Sequence, residues 1–218
     1  EACRKHNSKV RIVFASTRQI YGKPKYLPVD EEHPLAPVDI NGVNKMAGEW
    51  YHLLYEKVHG IPSSILRLTN TYGPRMRIKD ARQTFLGIWI RNLLEGKPIQ
   101  VFGDGCQRRD YNFVEDVVDA LILAASNDDA IGKVYNLGAP DPLSLKETAE
   151  IMCQEVKDSM FEMIPFPKDR QVIDVGDFLC DHELFRSSFG WNPKINFNKG
   201  IKLTIEYFKE EIDHYIHN

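Results

Sequence analysis

The stretch from residue 9 to residue 73 constrains the fold most. "KVRIVFAS" (9–16) is a short β-branched apolar run that ends in small polar residues. That is the pattern of a buried parallel strand delivering a loop at its C-terminal end. "QIYGKPKYLPVDEEHPLAP" (19–37), rich in proline and charge, must be an irregular excursion. From Asn44 to His59 the apolar residues Met46, Ala47, Trp50, Leu53, Leu54 and Val58 recur at helical spacing, and Gly60 with Pro62 ends the helix. "SSILRLTNTYG" (63–73) supplies the next strand and loop. Strand, long loop, helix and strand in that order form a parallel βαβ crossover, the unit of a doubly wound α/β sheet.

Beyond Pro74 the pattern changes. "TFLGIWIRNLLEG" predicts a helix closed by Gly96, "PIQVFG" a strand, Asp104-Gly105 a turn and "RRDYNFV" another extended segment, so a hairpin-like insertion is expected. "EDVVDALILAASN" reads as a helix with acidic residues in its first turn, as the helix dipole prefers. "KVYNLG" (133–138) reads as a strand. Ser144 and Glu147 form a capping-box pattern that opens a helix through about Val156. Further helices are expected around 181–188 and 198–216, the second with Ile201, Ile205, Phe208 and Ile212 on one face. The N-terminal "EACRKHNSK" reads as the end of a helix running into the first strand.

With 218 residues, 43% of them apolar, the chain can bury a proper core. A formal charge of −3, with both signs mixed along the length, offers no basic face for a nucleic acid. Cys3, Cys106, Cys153 and Cys180 are scattered, which suggests neither a zinc knuckle nor a disulfide framework, and a reducing cytoplasm is the expected setting. No apolar run is long enough to cross a bilayer, so no membrane association is expected. His52 with His59, and His214 with His217, have no carboxylate or cysteine completing a metal site.

Six segments in order, "FASTRQIYG", "NGVNKMAGE", "LRLTNTYGPR", "VFGDGCQRRDYNFVEDV", "VYNLG" and "SSFGWNPK", carry a resemblance to the nucleotide-sugar epimerase/dehydratase branch of the extended short-chain dehydrogenases/reductases. The resemblance runs from about Val10 to Pro193. It implies a partial Rossmann-like parallel sheet (1–74 and 110–140) with a smaller α/β lobe that binds a nucleotide sugar (75–109 and 141–218). It also implies NAD as cofactor and a homodimer formed through helix 44–59. In such enzymes a hydroxyl, a tyrosine and a lysine act together while hydride passes to NAD. Those positions fall here on Thr17, Asn41 and Lys45, with Ser16, Lys45 and Leu68 on the cofactor side. On the substrate side the matching positions are Asn70, Arg109, Asp174 and, one position off the simplest register, Arg170. Of Arg108 and Arg109 only one can face the cleft of an extended strand, and the flanking match selects Arg109.

Two departures bear on the reaction. Asn41 stands in the tyrosine position, and an amide has no proton to lose near neutral pH and cannot serve as a general base. Arg18 and Gln19 stand where the dehydratases of the resembled family place carboxylates, so epimerisation is expected over dehydration. The rival expectation, given Asn41, is a protein that binds a nucleotide sugar without turnover. The sequence also lacks the strand, glycine-rich turn and helix that receive a dinucleotide pyrophosphate. An upstream portion is therefore expected, and the chain as given should bind NAD weakly or not at all and expose a sheet edge.

Overall fold

The structure, a computed structural model, describes residues 1–79 and 84–216. His217 and residues 80–83 of the expected lobe lie outside the described residues. A short helix, α1 (Ala2–His6), precedes β1 (Ile12–Thr17), whose last residue caps a 3-10 turn over Arg18–Tyr21. After the excursion come α2 (Ile40–His59), β2 (Ser63–Leu68) and β3 (Asn70–Tyr72). Then follow α3 (Phe85–Leu94), β4 (Ile99–Phe102), β5 (Arg108–Arg109), β6 (Tyr111–Phe113), α4 (Val114–Ser126) and β7 (Val134–Leu137). The remainder is β8 (Leu143–Ser144), α5 (Leu145–Gln154), β9 (Phe161–Ile164), α6 (Lys168–Gln171), α7 (Glu183–Phe189) and α8 (Phe197–Ile216).

The central sheet is parallel, in the order β1-β2-β7, with Thr17 beside Leu68 and Leu68 beside Leu137. Helices cover both faces, which is the α/β architecture read from the crossover pattern. On one face α2 lies close, because Gly48 leaves room for the Phe14 ring, which a Cβ would meet at 2.5 Å. On the other, Leu66, Tyr135 and Leu137 pack against Val117, Ala120 and Ala124 of α4, with Phe185 and Trp191 closing the cluster. A separate core joins Leu86, Trp89, Ile90 and Leu93 of α3 to Ile99 and Val101 of β4, Ala149 and Met152 of α5, and Ile201, Ile205 and Phe208 of α8.

Helix α2 starts at Ile40 instead of Asn44 because Asp39 caps it, its carboxylate accepting the Gly42 N–H at 2.7 Å. Its end is as expected, with Gly60 in the left-handed conformation. The capping box of α5 is also present: Ser144 Oγ accepts from the Glu147 N–H at 3.1 Å, and Glu147 accepts from the Ser144 N–H at 2.8 Å.

The expected hairpin after Gly103 does not form. Strand β4 pairs in parallel with β9, β5 pairs antiparallel with β8, and β6 pairs in parallel with β3. The strand expected at the start of 63–73 is β2, and in the segment expected as loop a second short strand, β3, turns away after Thr69 to meet β6. Local turn chemistry at Asp104-Gly105 reverses the chain. The partners of the flanking strands are set by long-range burial of Tyr72, Tyr111 and Phe113.

Among the buried residues Arg67 and Glu49 form an ion pair that ties α2 to β2, with Arg67 Nη2 2.8 Å from Glu49 Oε2 and both side chains almost wholly removed from water. Removing one partner strands a buried charge. Glu49→Ala should lower unfolding stability by about 3–5 kcal/mol, measured by urea denaturation. Replacing both residues with apolar side chains of similar volume should cost much less.

Candidate active site

The residues singled out at the end of β1 converge on one side chain that the sequence did not flag as central, Gln19. Its Oε1 accepts from the Thr17 hydroxyl at 3.2 Å and from the Asn41 side-chain amide in a short contact. Its Nε2 donates to Asp39 Oδ2 at 2.6 Å. The arrangement needs α2 to begin hard against the 18–21 turn. Gly42 permits that, since a Cβ there would sit 2.6 Å from the Gln19 carbonyl oxygen. One turn farther along α2, Lys45 donates to the Ala15 carbonyl at 2.6 Å, its ammonium 5.0 Å from the Phe14 ring centroid. Ser16 is buried and its hydroxyl has no hydrogen-bond partner among the described residues. Leu68 ends β2 directly beside Thr17.

A cavity of about 380 Å³ opens next to this network. Arg18, Gln19 and Asp39 line it from one side, with Arg109, Arg170 and Asp174 joining them. Trp89, Phe102 and Phe166 supply aromatic wall. Arg109 is buried and held from several directions. It donates to the Arg108 carbonyl at 2.8 Å, makes a short contact to the Gly176 carbonyl, and faces Asp174 at 3.7 Å. Arg108 is exposed on the other side of the strand. Asp174 also accepts from Gln107 Nε2 at 2.8 Å. Thr17, Asn41 and Lys45 reach this cavity only through Gln19 and Asp39, and Asn70 stands back from it, its amide donating to the Asp110 carbonyl at 2.8 Å. Among the described residues no cluster of His, Cys, Asp and Glu could hold a metal ion.

The sequence signals for Gln19 and Asp39 were weak. Gln19 entered only as the absence of a carboxylate, and Asp39 as a residue preceding a helix start placed too late. Trp89 and Phe102 fall on elements whose apolar pattern predicts burial but not the wall of a cavity, and Phe166 lies in a segment for which the sequence predicts no element.

A parallel sheet with a hydroxyl, an amide and a lysine gathered at its C-terminal end, beside an arginine-bearing cavity, defines a doubly wound protein with a small-molecule site at the strand ends. A model of the NAD dependent epimerase/dehydratase family matches residues 1–138, and the chain belongs to that family. Over 200 residues it is 34% identical to a Methanocaldococcus jannaschii protein named "Putative UDP-glucose 4-epimerase", covering 91% of this chain and 63% of that one. It is 28% identical over 214 residues to UDP-glucuronic acid decarboxylase 1 of Danio rerio, covering 95% of this chain and 49% of the relative. The solved structure of a UDP-glucose 4-epimerase with UDP-glucose from Thermotoga maritima superposes with a TM-score of 0.86 at 28% identity, covering 96% of this chain and 66% of that one. The chain thus spans between about half and two thirds of the length of these relatives.

Behind the cavity Asp110 is buried, and no side chain among the described residues hydrogen-bonds its carboxylate. Burial pushes its carboxyl up to about 6, against the opposing pull of the nearby Arg18 charge. The folded state therefore holds the Asp110 proton more tightly than the unfolded chain does. That contribution is full below the ordinary aspartate value and is lost as pH rises through about 6. Asp110→Asn should remove it. Compared with the variant, the native protein should lose roughly 3 kcal/mol of stability between pH 4 and pH 7, read from denaturation curves at stepped pH.

Proposed function

We propose that the chain carries the site of an NAD-dependent epimerase that acts on a nucleotide-linked sugar by transient oxidation and reduction. The observation that carries this reading is the Gln19-centred contact of Thr17 and Asn41, one helical turn from Lys45, beside a cavity holding Arg109 and Arg170. Relatives named as UDP-glucose 4-epimerase and UDP-glucuronic acid decarboxylase support a nucleotide-sugar substrate. Epimerisation is preferred over dehydration because Arg18 and Gln19 give the cavity no acid–base carboxylate next to Thr17.

The residues at the end of β1 fit the nicotinamide end of the cofactor. Lys45 has ammonium hydrogens beyond the one given to Ala15, Ser16 has an unpartnered hydroxyl, and Leu68 offers an apolar edge. NAD, when bound, supplies the hydride acceptor. Thr17, whose own proton is given to the Gln19 side chain and which accepts from the Gln19 N–H, presents its remaining lone pair to a sugar hydroxyl. Arg109 and Arg170 meet the diphosphate, Arg109 being oriented by Asp174, and Asn70 steadies the loop beside them. No glycine-rich strand–turn–helix occurs in the sequence, so the chain alone should hold NAD weakly.

The same reading assigns 1–74 and 110–140 to the sheet-bearing lobe, and 75–109 and 141–218 to the substrate lobe. A homodimer through helix 44–59 is supported by the exposed apolar stripe of Trp50, Leu54 and Val58 on α2. No helix among the described residues is long and apolar enough to cross a membrane. A cytoplasmic setting is supported by the four cysteines, all of them free.

Asn41 favours a second reading, a nucleotide-sugar-binding protein without turnover, since its amide accepts no proton. The full-length protein should be incubated with NAD and a panel of UDP-, GDP-, CDP- and dTDP-sugars. Turnover that falls by roughly 100-fold or more in Lys45→Met is the expected result. Binding without product in the native protein, with product formed only by Asn41→Tyr, would establish the second reading instead.

A further inference from the structure

Two guanidinium groups in the cavity, those of Arg18 and Arg170, have no hydrogen-bond or ion-pair partner among the described residues. Arg109, by contrast, is already engaged by two carbonyls and Asp174. A buried or half-buried arginine without an acceptor is costly unless a ligand supplies one. Arg170 lies beside the Arg109–Asp174 pair in the cavity wall, the place for a diphosphate under the reading above. Arg18 follows Thr17 directly and shares its side of the cavity with Gln19 and Asp39, which is the reacting end. It is held there by stacking on Phe178, its guanidinium carbon 4.8 Å from the ring centroid.

Neither neighbouring carboxylate neutralises Arg18. Asp39 is committed to the Gly42 N–H and the Gln19 amide. Asp110 is close enough to be felt electrostatically, but it forms no ion pair with Arg18 among the described residues. Burial, and secondarily the Arg109 charge, draw the Arg18 pKa down to about 10, so the group remains a cation at neutral pH.

We propose that Arg18 recognises an anionic group carried by the sugar itself, so that the substrate is a nucleoside diphosphate linked to a uronic acid, whose carboxylate pairs with this guanidinium. This rests on the nucleotide-sugar reading and deepens it. A planar guanidinium suits a carboxylate because two parallel N–H groups can meet its two oxygens. A neutral hexose offers only hydroxyls to the same position and leaves the charge unpaired.

Calorimetric titration of the chain separates this proposal from the reading beneath it. UDP, CDP, GDP and dTDP first find the nucleotide that binds. The glucose and glucuronate conjugates on that base, UDP-glucose and UDP-glucuronate in the first instance, are then compared. The glucuronate conjugate should bind at least about tenfold more tightly than the glucose conjugate. Arg18→Gln should abolish that difference and leave the affinity for the bare nucleotide unchanged, while Arg18→Lys, which keeps the charge, should retain part of it. Equal binding of the two conjugates to the native protein overturns the proposal and leaves the nucleotide-sugar reading standing. So does an Arg18→Gln effect of the same size on nucleotide and uronate, which would assign Arg18 to the diphosphate. Failure of every nucleotide to bind overturns both.

Discussion

The site depends on a buried charge pair that never touches it. Arg67, on the central strand, donates to both oxygens of Glu49 on α2, and its other branch donates to Tyr21 Oη at 2.8 Å. Tyr21 in turn donates to Asn136 Oδ1 at 2.7 Å, and Asn136 donates to the Val29 carbonyl at 3.0 Å. One guanidinium thereby joins α2, β2, the turn after β1, the excursion and β7. Because its alternatives are unsatisfied charges in the interior, the network admits little slack. It sets the start of α2 against the 18–21 turn, and that contact brings Asn41 and Asp39 to Gln19.

Much of this was legible in the sequence where the signal is local. The run Ile12–Thr17, the helix ending at Gly60 and the run Ser63–Leu68 each announce themselves through period or cap, and their order alone demands a parallel crossover. The start of α2 was misplaced because apolar periodicity begins only at Met46, while the true signal was the cap at Asp39. The pairing of β4 with β9 was not legible at all. Residues 99–102 and 161–164 lie some sixty positions apart, and nothing in either segment names its partner. Turn chemistry at Gly103–Gly105 suggested a local partner, and burial of Tyr111 and Phe113 against Tyr72 and α8 selected a distant one.

The cavity shows the same division. Strand alternation sends Arg108 and Arg109 to opposite faces, the flanking family match selects Arg109, and the structure places Arg109 in the cavity wall and Arg108 outside it. Its surroundings come from segments around 18, 39, 89, 102, 145, 166 and 174, brought together only by the packing of α3, α5 and β9. A pattern of apolar residues reports that Trp89 is sheltered. It does not report that Trp89 is also part of a cavity wall.

The amide at position 41 remains the feature that most limits the chemistry. Within the network around Gln19, two amides, one hydroxyl and one carboxylate meet, and of these only Asp39 carries an anionic oxygen that could accept a proton. Both of its oxygens already accept protein N–H groups, and one of those bonds caps α2. Protonating it would weaken the helix start that assembles the site, a cost of the order of a capping interaction, about 1 kcal/mol. The geometry is therefore better suited to orienting a sugar hydroxyl than to removing its proton. Binding without turnover keeps its weight beside epimerisation for that reason, although the chain belongs to the NAD dependent epimerase/dehydratase family.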